Sequence, residues 1–119
     1  MSAAAEATYV EVCAVEDIEV EGGVTALVGG RAVAVFRTYA GEVLALDNRD
    51  PFSQASVLSR GIVGTVLVGE ELVDFVASPM HKQRFDLHTG RCLDDDSVTV
   101  PRHGVRIEDG QVLVGEVST

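Results

Sequence analysis

The sequence predicts an all-β domain of about ten short antiparallel strands. Three observations carry this reading. Short apolar runs rich in valine, leucine and alanine recur between turn residues along the chain. Gly29-Gly30 and Asp109-Gly110 each sit between two such runs, where a two-residue hairpin needs positions that tolerate positive φ. No segment shows the 3.6-residue apolar period of a long amphipathic helix. A chain of 119 residues that is 46% hydrophobic is enough for one core and too short for a second full domain. Residues 1–7 read as a frayed start and residues 8–119 as a single domain.

The β signal begins at Thr8. Tyr9-Val-Glu-Val-Cys13 alternates and stops at the polar turn Glu16-Asp17. Val24–Val28 and Arg31–Phe36 flank Gly29-Gly30, and Tyr39-Ala40-Gly41-Glu42 turns the chain into Val43–Asp47. Asn48 to Gly61 then breaks the rhythm with a longer, proline-containing segment, the kind of loop that tends to carry function. Strands resume at Thr65–Val68 and Leu72–Ala77, joined through Gly69-Glu70-Glu71. Gly104–Glu108 and Gln111–Glu116 close the meander through Asp109-Gly110. The run Asp94-Asp95-Asp96 reads as a solvated turn, since it lacks the spaced ligands and central glycine of a calcium loop.

The stretch Ser78-Pro79-Met80-His81-Lys82-Gln83-Arg84-Phe85-Asp86, followed by Thr89-Gly90, resembles the second ligand loop of a Rieske domain. That loop runs Cys-Pro-x-His-Gly-x-x-Phe-Asp and then Thr-Gly. Pro79, His81, Phe85, Asp86, Thr89 and Gly90 stay in register, while Ser78 stands at the cysteine. The resemblance implies a Rieske-like antiparallel β-sandwich or barrel. A Rieske cluster needs two thiolates on one iron and two imidazoles on the other. In the first loop, Leu58-Ser59-Arg60-Gly61 looks like the close of the motif. Counting back from Leu58 without a gap puts Pro51 and Ser53 at the ligand positions, and a one-residue shift puts Asp50 and Phe52 there. Neither register supplies a thiolate or an imidazole. The degenerate cluster positions are thus Pro51, Ser53, Ser78 and His81, and only His81 keeps a ligand side chain. The expectation is a Rieske-like fold with no iron-sulfur cluster and no other cofactor in this chain.

The remaining chemistry is sparse. Cys13 and Cys92 lie in separate apolar runs and read as buried free thiols. His81, His88 and His103 show no helix or zinc-ribbon spacing, and no metal site is assigned. There is no G-x-S-x-G nucleophile elbow and no phosphate-binding glycine loop, so no catalytic residue is assigned. A net charge of −10 argues against nucleic acid or anionic membrane as the main partner. The first residues lack the pattern of a signal peptide and no run reaches membrane-spanning length, which gives a cytoplasmic expectation.

Arg49, Arg60, Lys82 and Arg84 are four of the nine basic residues, gathered in two short windows beside Pro51, Phe52, Pro79 and Met80. Apolar anchors framed by basic side chains suit a protein interface. Arg49, Phe52, Arg60, Pro79, Met80, His81 and Lys82 are the interface candidates. Phe52 alternatively folds inward, and Phe85 is expected in the core.

Asn48-x-Asp50-Pro51-Phe52, Val57–Gly61, Ala77-Ser78-Pro79 and Lys82–Phe85 are similar to the small subunit of the assimilatory NAD(P)H-dependent nitrite reductase. Val12-Cys13, Asp17-Ile18 and Val33–Arg37 fit it too, so the resemblance runs from about Tyr9 to Glu116. It implies an accessory subunit without redox chemistry of its own. The partner would be a large subunit that carries FAD, an iron-sulfur cluster and sirohaem and reduces nitrite to ammonium. The alternatives are a Rieske-type [2Fe-2S] ferredoxin of an oxygenase system, which requires bound iron, and a free-standing binding module on the same fold.

Overall fold

The structure, a computed structural model, describes residues 8–118. The frayed start expected over residues 1–7 lies outside the described residues. Nine strands follow in order: β1 (Val10–Ala14), β2 (Gly22–Val28), β3 (Arg31–Arg37), β4 (Val43–Asp47), β5 (Ile62–Val68), β6 (Glu71–Ala77), β7 (Arg84–Asp86), β8 (Arg102–Glu108) and β9 (Gln111–Ser118). Two single-turn 3₁₀ helices, Val15–Asp17 and Leu58–Arg60, are the helical segments among the described residues. The all-β expectation holds, with nine strands against about ten.

Six strands form one antiparallel sheet in the order β1-β9-β8-β4-β3-β2, and β5-β6-β7 form a second. The outermost strands of the large sheet, β1 and β2, come into contact, so the sheet curls almost into a barrel. Gly29 and Gly30 have φ of 59° and 80°, and Asp109 and Gly110 have 51° and 77°. Both hairpins are therefore the two-residue turns that the dipeptides predict. β5 starts three residues before the expected Thr65, because Ile62 pairs with Ala77 across the hairpin.

The packing explains why β3 reads as an unbroken apolar run. Val33 and Val35 face one cluster with Ile18, Val28, Val43, Ala45, Val112 and Val114, inside the curled sheet. Ala34 and Phe36 face a second cluster with Leu46, Leu58, Val76, Phe85, Leu87 and Cys92, which joins the large sheet to the small one. A strand buried on both faces has no reason to alternate. The two cysteines are free and belong to different clusters: Cys92 is buried, whereas Cys13 is only half-buried, less enclosed than its apolar run implies. β5 lies at the edge of the small sheet and has no charged residue, with Ile62 71% and Leu67 63% exposed.

Most buried polar side chains among the described residues are paired, with Arg37 Nε and Gln83 Oε1 as exceptions. His103 donates through one ring nitrogen toward Asp47 Oδ1 at 2.7 Å, and its other nitrogen faces the Gly115 carbonyl at 2.9 Å. Asp47 Oδ2 accepts from Arg31 at 2.9 Å. By contrast, Arg106 and Glu108 pair in the open. Replacing Asp47 with alanine leaves the buried His103 ring nitrogen without its acceptor and is expected to lower stability by about 1–3 kcal/mol. Replacing Glu108 with alanine should change stability by less than about 1 kcal/mol. Urea unfolding of the two variants measures the contrast, and equal losses would contradict it.

Candidate functional site

The two loops singled out in the sequence lie side by side. The first leaves β4 at Asn48 and folds as a small hairpin of its own. Arg49 bridges to Ser56, Asp50 N–H donates to the Ala55 carbonyl at 2.8 Å, and Gln54 N–H donates to the Asp50 carbonyl at 2.7 Å. Asn48 is buried and closes the base: its Oδ1 accepts from Ser59 N–H at 2.7 Å and its Nδ2 donates to Ser56 Oγ at 3.0 Å. The second loop is tighter. Ser78 N–H donates to the Gln83 carbonyl and Lys82 N–H to the Ser78 carbonyl, with Lys82 at a φ of 65°. Where the loop bases meet, Gly61 leaves no room for a Cβ, which would strike the Ala77 carbonyl and Val76.

Between the loops, Ser78 Oγ donates to Asp50 Oδ2 at 2.5 Å, and both residues have no solvent exposure. Asp50 Oδ1 accepts from the Phe52 N–H at 2.9 Å, an Asx turn ahead of which Asp-Pro is a common lead. Ser78 Oγ also accepts from Met80 N–H at 3.2 Å. Burial pushes the Asp50 carboxyl up, but the bonds from Ser78, Phe52 and Ser53 more than offset it and hold the group below the ordinary carboxylate range. The residue that the fold brings against Ser78 is therefore Asp50, as in the one-residue shift, and not Pro51 or Ser53, the positions reached by counting without a gap. Pro51 is half-buried, and Ser53 turns its hydroxyl to the Ala55 N–H at 3.3 Å.

Phe52 lies partly buried against the second core cluster, its ring 6.2 Å from that of Phe85, so it fills space between the loops and is not a projecting anchor. Phe85 is core, as expected. Arg84 is also structural: its guanidinium and backbone N–H both donate to Asp94, and this holds the Asp94 carboxyl below its usual range. Asp94 thus tethers the loop while staying exposed beside Asp95 and Asp96, in line with the expected solvated turn. Arg49, Arg60, Pro79, Met80, His81 and Lys82 are exposed, with Met80 52% exposed. Among the described residues, Arg49, Arg60 and Lys82 enter no ion pair. Asn48 and Asp50 are the residues that sequence reasoning underweighted, and the Asp50-Pro51 step was the available signal.

A [2Fe-2S] cluster does not fit this donor set. The loops contain no cysteine and a single histidine, His81, while a carboxylate and a hydroxyl already satisfy one another at the centre. Cys92 is buried in the core and Cys13 lies on β1; burial pushes both thiols up, away from the thiolate form that binds iron.

Two packed antiparallel sheets with paired loops at one end define a Rieske-like domain, and the Rieske-like [2Fe-2S] domain family matches residues 8–115. Within that class, the chain is 44% identical over 103 residues to the nitrite reductase (NADH) small subunit of Escherichia coli K12, covering 86% of this chain and 92% of that protein. It belongs to the family of nitrite reductase small subunits. The crystal structure of a protein assigned as an NADH-dependent nitrite reductase small subunit in Mycobacterium tuberculosis superposes with a TM-score of 0.86 at 40% identity, covering 96% of this chain and 99% of that one. A nitrite reductase [NAD(P)H] large subunit of Klebsiella oxytoca contains a similar stretch, 40% identical over 87% of this chain and 10% of that protein.

Asp50→Asn is expected to lower stability by about 1–3 kcal/mol at neutral pH, since a buried charge-assisted bond is lost. A carboxyl held low in the fold stabilises above its unfolded pKa of about 3.9 and ceases to do so as pH falls through its folded value. The gap between parent and variant should therefore be constant from pH 7 to pH 5 and narrow below about pH 4. Chemical denaturation across that range measures it, and a gap independent of pH would contradict the assignment.

Proposed function

We propose that this chain is the small, non-redox subunit of a cytoplasmic NAD(P)H-dependent nitrite reductase and that it docks through its two loop tips on the large subunit. The observation that carries the reading is the Asp50–Ser78 bond between loops whose outer side chains are basic and unpaired among the described residues. A domain with this centre holds its loops in place without a metal and presents Arg49, Arg60, Pro79, Met80, His81 and Lys82 outward. Basic side chains around a flexible methionine, on a protein of net charge −10, give the tip a polarity opposite to the rest of the surface. The large subunit would therefore offer an acidic rim around an apolar recess.

The occurrence of a similar stretch inside a large subunit supports a partner of that kind, since fusion and association are alternative ways of holding two parts together. The flavin, iron-sulfur cluster, sirohaem and nitrite chemistry then belong to the large subunit. This chain supplies shape and charge, and no residue of it is placed in the reduction of nitrite to ammonium. Among the described residues, no helix is long and apolar enough to cross a membrane.

Purified chain is expected to contain no stoichiometric iron or acid-labile sulfide and to lack visible absorption. Iron and sulfide near two per chain would instead favour the ferredoxin reading. Co-purification with the large subunit tests docking. Met80→Asp combined with Lys82→Glu is expected to weaken association at least about tenfold, as loss of hot-spot contacts does. Glu108→Lys serves as control: β4 and β8 run antiparallel, so Glu108 lies at the opposite end of the sheet from the loops. Undiminished association of the Met80/Lys82 variant would refute the loop-tip interface.

A further inference from the structure

Away from the loop tips, three side chains from separate segments converge. Glu42 precedes β4 in the large sheet, Asp74 lies in the middle of β6 in the small sheet, and His88 sits in the turn after β7. One donor atom from each lies within 4.8 Å of the others. His88 Nε2 is 3.3 Å from Asp74 Oδ2 and 3.4 Å from Glu42 Oε1. None of the sequence spacings predicts this meeting, because the fold supplies it.

Hydrogen bonding accounts for the contact with Asp74 but cannot serve Glu42 from the same nitrogen at once. Nε2 carries at most one proton, and both separations exceed the about 2.7–2.9 Å of a charge-assisted N–H···O bond. They match a different quantity. Zinc binds imidazole nitrogen and carboxylate oxygen at about 2.0–2.2 Å, so neighbouring ligands of a tetrahedral ion stand about 3.3–3.5 Å apart. The Asp74 side chain is held from behind, and His88 and Glu42 are tied at their backbones. Asp74 Oδ1 accepts from Thr65 Oγ1 at 2.9 Å, which leaves Oδ2 toward His88. His88 N–H donates to Asp86 Oδ1 at 2.7 Å, and its carbonyl accepts from Arg102 Nη1 at 3.1 Å. Glu42 is fixed through its N–H to Thr38 Oγ1 at 3.1 Å. The Thr65 contact on Asp74 is the kind of support that orients a metal-binding side chain.

We propose that Glu42, Asp74 and His88 form a surface site for a divalent cation of the zinc class, with solvent completing the coordination. Such an ion neutralises two facing carboxylates and ties the large sheet to the small one. The imidazole selects zinc, nickel or cobalt over magnesium and calcium, which prefer all-oxygen shells. The site is independent of the docking proposal, because it shares no residue with the loop tips.

The test uses untagged, chelator-stripped full chain. Zinc titrated by calorimetry, in competition with a chromophoric chelator, is expected to bind at one ion per chain. At a hundredfold excess over Kd, zinc should raise the thermal midpoint by roughly 10 °C. Magnesium and calcium at the same concentrations should leave the midpoint unchanged. His88→Ala and Asp74→Asn, checked for folding by circular dichroism, should each lose at least tenfold in zinc affinity. The proposal is overturned if zinc does not bind, if binding is unchanged in the His88→Ala variant, or if magnesium acts equally well. The last result would mean simple attraction to an acidic surface.

Discussion

Strand β3 has no solvent-facing side, and the architecture follows from that constraint. Its odd and even positions feed two separate clusters, one inside the curled sheet and one shared with the small sheet. Both sheets are therefore fixed to the same four buried residues, Val33 to Phe36. β4 pairs along one flank of β3 and delivers the first loop, while Val76, next to the end of β6, packs in the second cluster and delivers the second loop. Loops anchored this close to a doubly buried wall keep their spacing without any cross-link between their tips. A change of one methylene at Phe36 or Val35 would be felt at both loops, because close-packed interiors transmit strain.

Given that wall, the centre between the loops is free to change chemistry. In a cluster-binding relative of this fold, metal coordination would join the loops; here a carboxylate, a hydroxyl and an Asx turn do so. The substitution is electrostatically self-contained. Asp50 is buried, yet it accepts from Ser78 and Phe52, so its charge is met by donors and not left alone in an apolar setting. Phe52 takes up volume against Phe85 on the inner side. The outer side keeps its exposed basic residues, which in the reading proposed above form a shaped surface.

Much of the fold was legible in the sequence, since the period-two runs and the Gly-Gly and Asp-Gly turns act locally. β3 was legible as a strand but not as a two-faced wall, which depends on what packs against each side. The loops were legible as a pair apart from the strands through their length, their prolines and their motif residues. Their register was not: Asp50 and Pro51 differ by one position, and only the hairpin bond between Asp50 and Ala55 decides which faces Ser78. The side of Phe52 was left open for a related reason, and the role of Arg84 was not foreseen, as the sequence names neither Phe85 nor Asp94 as their partners. The Glu42, Asp74 and His88 juxtaposition spans three segments and lies beyond any spacing rule.

The edge strand β5 has a bearing on the life of the chain outside a complex. From Ile62 to Val68 it has no lysine, arginine or acid, and among the described residues its outer backbone groups pair with no further strand. Such rims template the addition of further strands from other copies. Repulsion between molecules of net charge −10 is then the guard that remains, and it acts through solvent over a Debye length of about 8 Å at physiological ionic strength. Colloidal behaviour of the isolated chain thus becomes a function of added salt, with crowding of like copies held off by charge at a distance and not by any shield on the strand itself.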